Sequence, residues 1–181
     1  MEEAHAILLR RYRFSENSLL VVWLTDRHGK VKTSVRSALK PGSLFAGRLE
    51  LFTEAEIAFK ISRSTQSSDL HTLCEVVLTG DRALPATYTT ILSASYFAEL
   101  CDLLTETMHP VPEIFHLLQR AWGFLRMQAP TQRAIEHFET ELARALGIYD
   151  PATPAHHSLS AMAHKSPPNR ALLMAQLGMP S

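Results

Sequence analysis

Over the first eighty positions apolar and polar residues alternate, or apolar runs are bounded by turn residues. That pattern predicts five strands: Ala6 to Arg13, Leu19 to Thr25, Lys30 to Ser37, Glu54 to Ile61 and Thr72 to Leu78. Five short strands are enough for a small closed barrel. Between the second and third lies Asp26-Arg27-His28-Gly29, whose glycine can take positive φ in a hairpin turn. Lys40-Pro41-Gly42-Ser43 and the stretch from Ser62 to Asp69 are polar interruptions.

After Gly80 the apolar period changes from two to about 3.6. Helices are predicted over Tyr88 to Thr105, Pro112 to Met127 and Pro130 to Leu146, with Pro112 and Pro130 in first turns and Gly147 as a left-handed C-terminal cap. In the third helix Ile135, Phe138, Leu142, Ala145 and Leu146 form one stripe, while Arg133, Glu136, Glu139 and Arg144 face elsewhere. The first helix is apolar over a wider arc and is expected at the centre of the bundle. From Tyr149 to Pro168 the chain is rich in Pro, Ser and His and has little periodicity, so a loose connector is expected at about 149–168, followed by a short helix from Asn169 to Leu177. The expected organisation is α+β, with a barrel over 1–80 and a helical domain over 81–181.

Composition adds bounds. At 181 residues and 46% apolar, the chain can bury one medium core or two small ones. No apolar run approaches the eighteen or so residues of a membrane helix, and the start lacks a basic leader before a hydrophobic stretch, so the expected location is cytoplasmic, with no membrane partner. Cys74 and Cys101 lie far apart, in apolar settings expected of inert buried thiols, and support neither a disulfide framework nor a zinc ribbon.

The formal net charge is zero, but the average conceals a polarised chain. Between Ile7 and Arg48 nine cations (Arg10, Arg11, Arg13, Arg27, Lys30, Lys32, Arg36, Lys40 and Arg48) face only Glu16 and Asp26, a net of about +7. Alternation along the third strand sends Val31, Thr33 and Val35 one way and Lys30, Lys32, Ser34 and Arg36 the other. Together with Arg10, Arg11 and Arg13 on a neighbouring strand, and with Lys40 and Arg48, these cations form a candidate surface for phosphates. Tyr12 and Phe14 are candidate base-stacking rings. Trp23 lies in an apolar run without a polar face and is expected in the core, and Phe45 is undecided.

Catalytic chemistry finds little support. There is no Gly-rich phosphate loop, no G-x-S-x-G elbow and no H-x-x-x-H or D-x-D arrangement, so no cofactor and no enzymatic activity are expected. His156, His157 and His164 fall in the expected connector without a cysteine or nearby carboxylate, a weak set for a metal. Arg120, Arg126 and Arg133 lie near an apolar helix pair and could rim a groove for an acidic, apolar-ended peptide.

Several stretches in order carry a resemblance: Ala6-Ile7-Leu8-Leu9-Arg10, the hairpin ending His28-Gly29-Lys30-Val31-Lys32, and Ser43-Leu44-Phe45-Ala46-Gly47-Arg48-Leu49-Glu50-Leu51-Phe52. The helical half adds Ala94-Ser95-Tyr96-Phe97-Ala98-Glu99-Leu100, Pro110-Val111-Pro112-Glu113-Ile114-Phe115 and Phe138-Glu139-Thr140-Glu141-Leu142. With that order and spacing the chain resembles RecO, the bacterial recombination mediators, to about Asp150. The resemblance implies an N-terminal five-stranded OB-fold barrel followed by an α-helical domain. It further implies DNA binding, strand annealing, and partnership with RecR, with the tail of single-strand-binding protein and indirectly with RecA. The family's basic barrel surface falls on Arg10, Lys30, Lys32 and Arg48. After Gly147 many relatives carry a four-cysteine zinc ribbon; here that region has no cysteine, and structural zinc is not expected. The function expected is that of a repair and recombination mediator on single-stranded DNA, with double-stranded DNA as a second candidate ligand. The competing reading is a protein-interaction adaptor whose barrel is structural and whose helices bind a peptide.

Overall fold

The computed structural model describes residues 1–62, 69–80, 84–164 and 169–178. Five strands come first: β1 (Glu2–Arg13), β2 (Leu19–Thr25), β3 (Gly29–Val35), β4 (Glu54–Lys60) and β5 (Leu70–Leu78). Five helices follow: α1 (Tyr88–Leu104), α2 (Pro112–Met127), α3 (Gln132–Ala145), α4 (Ala155–Met162) and α5 (Arg170–Leu177). The chain divides into two compact units, one holding the strands with Thr105–Phe115, the other holding α1 and the chain from His116 onward.

The strands close a barrel in the order β1-β2-β3-β5-β4, every pairing antiparallel except β3 with β5. This is the five-stranded Greek-key closure of an OB-fold. The interior is filled by alternate residues: Ala6 and Leu8 from β1, Leu19, Val21 and Trp23 from β2, Val31 and Val35 from β3, Ile57 and Phe59 from β4, Leu73 and Val76 from β5. Trp23 is in the core as expected, fully buried, and its indole Nε1 donates to Thr33 Oγ1 at 3.0 Å, so the one polar atom of the ring is satisfied.

The β2–β3 hairpin forms as read from sequence. Gly29 has φ +66°, Thr25 Oγ1 accepts from His28 N at 3.0 Å and donates to Gly29 O at 2.8 Å. Where β3 has not yet met β5, the segment after α1 adds to it: Thr107 bridges Lys30 in parallel and Met108 N donates to Lys30 O at 2.9 Å.

In the helical unit α1 is buried along much of its length, including Ala94, Phe97, Leu100 and Cys101, in keeping with the wide apolar arc of its sequence. α3 starts two residues after its proline: Thr131 is the N-cap, its hydroxyl accepting from Ala134 N, and Pro130 precedes it instead of opening the first turn. The far end is a Schellman motif, with Gly147 at φ +70° and bonds from Gly147 N to Arg144 O and from Ile148 N to Ala143 O.

Two further expectations are corrected. Glu139 does not face away from the core; it is 1% exposed and receives Tyr96 Oη at 2.6 Å and Arg170 Nε at 2.6 Å. The helical period cannot reveal this, because the partners that permit burial of the carboxylate lie 43 residues before it and 31 residues after it in the chain. Second, the stretch at 149–168 contains helix α4, from Ala155 to Met162. No side chain caps its start; burial of Leu159 holds it, a tertiary contact that compositional reading does not register.

Candidate nucleic-acid interface

The register of the strands decides which cations share a surface. From Ala4 to Leu8 the even-numbered residues of β1 point inward; between Leu8 and Arg10 the pairing with β2 shifts by one residue, leaving Leu9 as a bulge. The bulge sits where Leu8 bonds the loop before β4, Leu8 N donating to Thr53 O and Leu8 O accepting from Phe52 N. A bulge reverses the facing of everything beyond it. Arg10 and Tyr12 therefore stand outside the barrel, and Arg11 and Arg13 fall on the opposite side of the strand.

Three outer rungs result across β1, β2 and β3: Ile7–Leu24–Lys30, Arg10–Val22–Lys32 and Tyr12–Leu20–Ser34. Arg10, Lys30 and Lys32 are thus brought to the borders of an apolar strip whose Ile7, Val22 and Leu24 are themselves buried, so the accessible surface here is the cationic border and not the strip. The Arg10 guanidinium lies 5.2 Å from the centre of the Tyr12 ring, close enough for a cation–π contact. Tyr12 is 43% exposed and Phe14 is 59% exposed, so both candidate stacking rings are at the surface.

The remaining candidates divide. Arg36 and Lys40 line one depression of about 530 Å³ with Phe14 and Ser34, so they continue the basic face at its end. Three arginines are held in other contacts. Arg11 donates to Leu49 O at 2.8 Å and pairs with Glu50 at 2.8 Å; Arg13 donates to Glu16 O at 3.2 Å; Arg48 donates to Val76 O at 3.2 Å. Phe45, undecided from sequence, packs against the barrel core.

The opposite charge occupies another part of the barrel. Rungs Glu3–Ala58–Glu75 and His5–Glu56–Val77 cross the outside of β1, β4 and β5, with His5 Nε2 3.5 Å from Glu56. They line a depression that also receives Arg27, which pairs with Asp26. The two halves of β1 thus serve a basic and an acidic face. The signal lay in the alternation of Glu54, Glu56 and Glu75 on strands distant in sequence, which only the barrel order unites.

In the helical unit Arg120 and Arg133 line one apolar cleft of about 550 Å³ with Phe97, Leu117, Phe124 and Phe138. Arg126 is not in its lining. Cys101 is buried as expected and burial pushes its thiol upward, but Cys74 is exposed: it is the extra residue where the β4–β5 register slips between Ala58 and Phe59. An apolar sequence setting did not reveal that bulge. Both thiols are free, and among the described residues no three His, Cys, Asp or Glu side chains are grouped to hold a metal. No helix among the described residues is long and apolar enough to cross a membrane.

Residues 1–80, which contain the whole barrel, match the family model described as Recombination protein O N terminal. The protein named DNA repair protein RecO in Polaromonas sp. is 30% identical over 176 residues, 96% of this chain and 67% of the relative. This chain belongs to the RecO family. The RecO of Pelobacter propionicus is 27% identical over 154 residues, 85% of this chain and 61% of that relative. The chain thus spans about three-fifths to two-thirds of the length of these RecO proteins. The family-matched segment carries the basic rungs of β1 and β3, the bulge that creates them and the groove of Arg36 and Lys40.

Proposed function

We propose that this chain holds single-stranded DNA along the cations that border the outer side of β1 and β3 and serves DNA repair and homologous recombination in the cytoplasm as a mediator, without catalysing a reaction. One observation carries the reading: Arg10 and Lys32 lie in a single cross-strand rung with Lys30 beside them, and Arg36 and Lys40 extend the same face. Arg10 and Lys32 stand on either side of β2, two strand spacings or roughly 10 Å apart, and cations spread in this way suit successive charges of a polyanion better than any isolated acid. Phosphates are common to every sequence, so the contact is sequence-tolerant, and duplex DNA is a second candidate ligand of the same cations. Two strands concentrated on such proteins can anneal, and a strand so held can be passed to a recombinase. The names of the relatives place them in DNA repair, in agreement with this role.

The partners implied by family membership are RecR, the tail of single-strand-binding protein and, indirectly, RecA. The cleft of Arg120 and Arg133 over Phe97, Phe124 and Phe138 supports an acidic peptide with an apolar end. That same cleft favours the second reading, an adaptor with a purely structural barrel. Titration of a fluorescent oligonucleotide separates the two. Under the first reading Lys30→Glu, Lys32→Glu and Arg36→Glu together weaken binding to all sequences alike; a triple variant that binds as the parent does places the site elsewhere.

A further inference from the structure

The end of the barrel carries a cavity whose lining differs from the phosphate-directed face. We propose that the depression between the β1–β2 turn and the turn after β3 is a subsite for one unpaired nucleotide, which lets the barrel distinguish strands with free bases from closed duplex. This rests on the reading of the barrel as a DNA-binding surface and adds to it a recognised chemical group.

Strand register builds the site. Arg13 pairs with Leu19 and Leu19 with Val35, so the residues that follow β1, precede β2 and follow β3 emerge at one end of the barrel. Phe14, Ser18 and Arg36 are those residues, and with Asn17, Ser34 and Lys40 they line a volume of about 530 Å³, within the roughly 300–1,000 Å³ common for small-molecule clefts. The loops are tied before any ligand arrives. Phe14 N donates to Ser18 O at 2.9 Å, and Leu39 N donates to Asn17 O at 3.2 Å, joining the first turn to the second. A site held in this way loses little conformational freedom on binding.

The lining matches the parts of a nucleotide. Phe14 offers an exposed ring for one face of a base. The Asn17 amide and the serine hydroxyls both donate and accept, so they can meet the edge of any base without selecting one. Arg36 and Lys40 supply charge for the adjoining phosphates. Ser34 belongs both to this lining and to the outer rung with Tyr12 and Leu20, next to the rung of Arg10 and Lys32. A strand lying along those cations therefore runs to the mouth of the cavity. In a duplex the bases are stacked and their pairing edges occupied, so none can enter without being extruded.

The test uses the full chain, a labelled mixed-sequence single strand and a blunt duplex of the same sequence, followed by anisotropy. Phe14→Ala is expected to lower single-strand affinity about five-fold or more, to leave duplex affinity unchanged, and to leave the salt dependence unchanged because no phosphate contact is lost. Phe14→Trp is expected to keep the affinity, with its fluorescence quenched by the single strand and not by the duplex. If the parent protein binds neither DNA, the underlying reading falls and the subsite with it. If the parent binds but Phe14→Ala loses nothing, or loses equally on both forms, the subsite is wrong and the phosphate-binding face stands.

Discussion

Gly29 and His109 touch backbone to backbone: a Cβ placed on Gly29 would stand 1.8 Å from the carbonyl oxygen of His109. The glycine also has φ +66°, a region L-residues enter at a cost of about 1–2 kcal/mol. Its turn role was legible in the sequence, but its close approach to a residue eighty positions later was not.

Two independent penalties therefore meet at this position. Gly29→Ala is expected to destabilise by more than about 2 kcal/mol in chemical denaturation, and Gly29→Asn, which tolerates positive φ, should not rescue it. Gly42 and Gly47, at φ +75° and +70° with open space around them, should accept Asn with little loss. Full tolerance of Gly29→Asn would show that only the dihedral matters there.

The second prediction concerns the buried carboxylate. Arg170 grips Glu139 through Nε at 2.6 Å and Nη2 at 3.0 Å, while Tyr96 donates to the same group; burial, reinforced by the adjacent carboxylate, holds the Tyr96 phenol well above its usual range. Arg170→Ala leaves Glu139 charged and unpaired, and should cost about 3–5 kcal/mol of stability, against about 1–3 kcal/mol for Tyr96→Phe. Because Arg170 is on α5, its loss should also expose that helix to limited proteolysis earlier than the rest of the unit. An Arg170→Ala variant as stable as the parent contradicts this assignment.

A third prediction follows from His71. Only 5% exposed, it stacks on Phe59 at 5.6 Å, its Nδ1 accepts from Ser62 N at 3.3 Å, and its Nε2 has no hydrogen-bond partner among the described residues. Burial depresses its pKa, opposed by Asp69 and reinforced by His28. The unfolded chain, with an ordinary histidine near 6.5, then binds a proton before the folded one does. Stability from this group is complete above about pH 6.5 and is lost as pH falls toward the folded value. Replacing His71 by Gln should flatten that part of the profile measured by urea denaturation at several pH values. His156, also depressed by burial, remains in both proteins and cancels from the difference. An unchanged slope in the His71 variant would remove His71 as its source.

The strands, the β2–β3 hairpin, the α1–α3 series and the burial of Trp23 could be read from period and turn residues because they are set locally. The facing of the arginines could not. Ala6 to Leu9 is an unbroken apolar run, so nothing in it betrays a bulge, and without that bulge Arg10 would point into the barrel. Reading Arg10, Arg11 and Arg13 as one surface overlooked that adjacent strand residues must diverge. The exposure of Cys74 escaped notice for the same reason, being the product of a register slip on β5. The acidic face and the burial of Glu139 depend on partners far along the chain, where a one-dimensional pattern carries no signal.

On the proposed reading, facing, more than total charge, selects which cations meet DNA. Its most direct test compares two double variants of equal charge change, Arg10→Ala with Lys32→Ala, and Arg11→Ala with Arg13→Ala, in salt titrations of single-strand binding. For the parent, with about four to six phosphates neutralised, the log–log slope should be roughly −3 to −4. Removing Arg10 and Lys32 should flatten that slope by about 1.4, at roughly 0.7 per lost contact, while removing Arg11 and Arg13 should leave it nearly unchanged. Equal flattening in the two variants, or a parent slope near zero, would contradict the assignment of the outer rungs as the DNA-binding face.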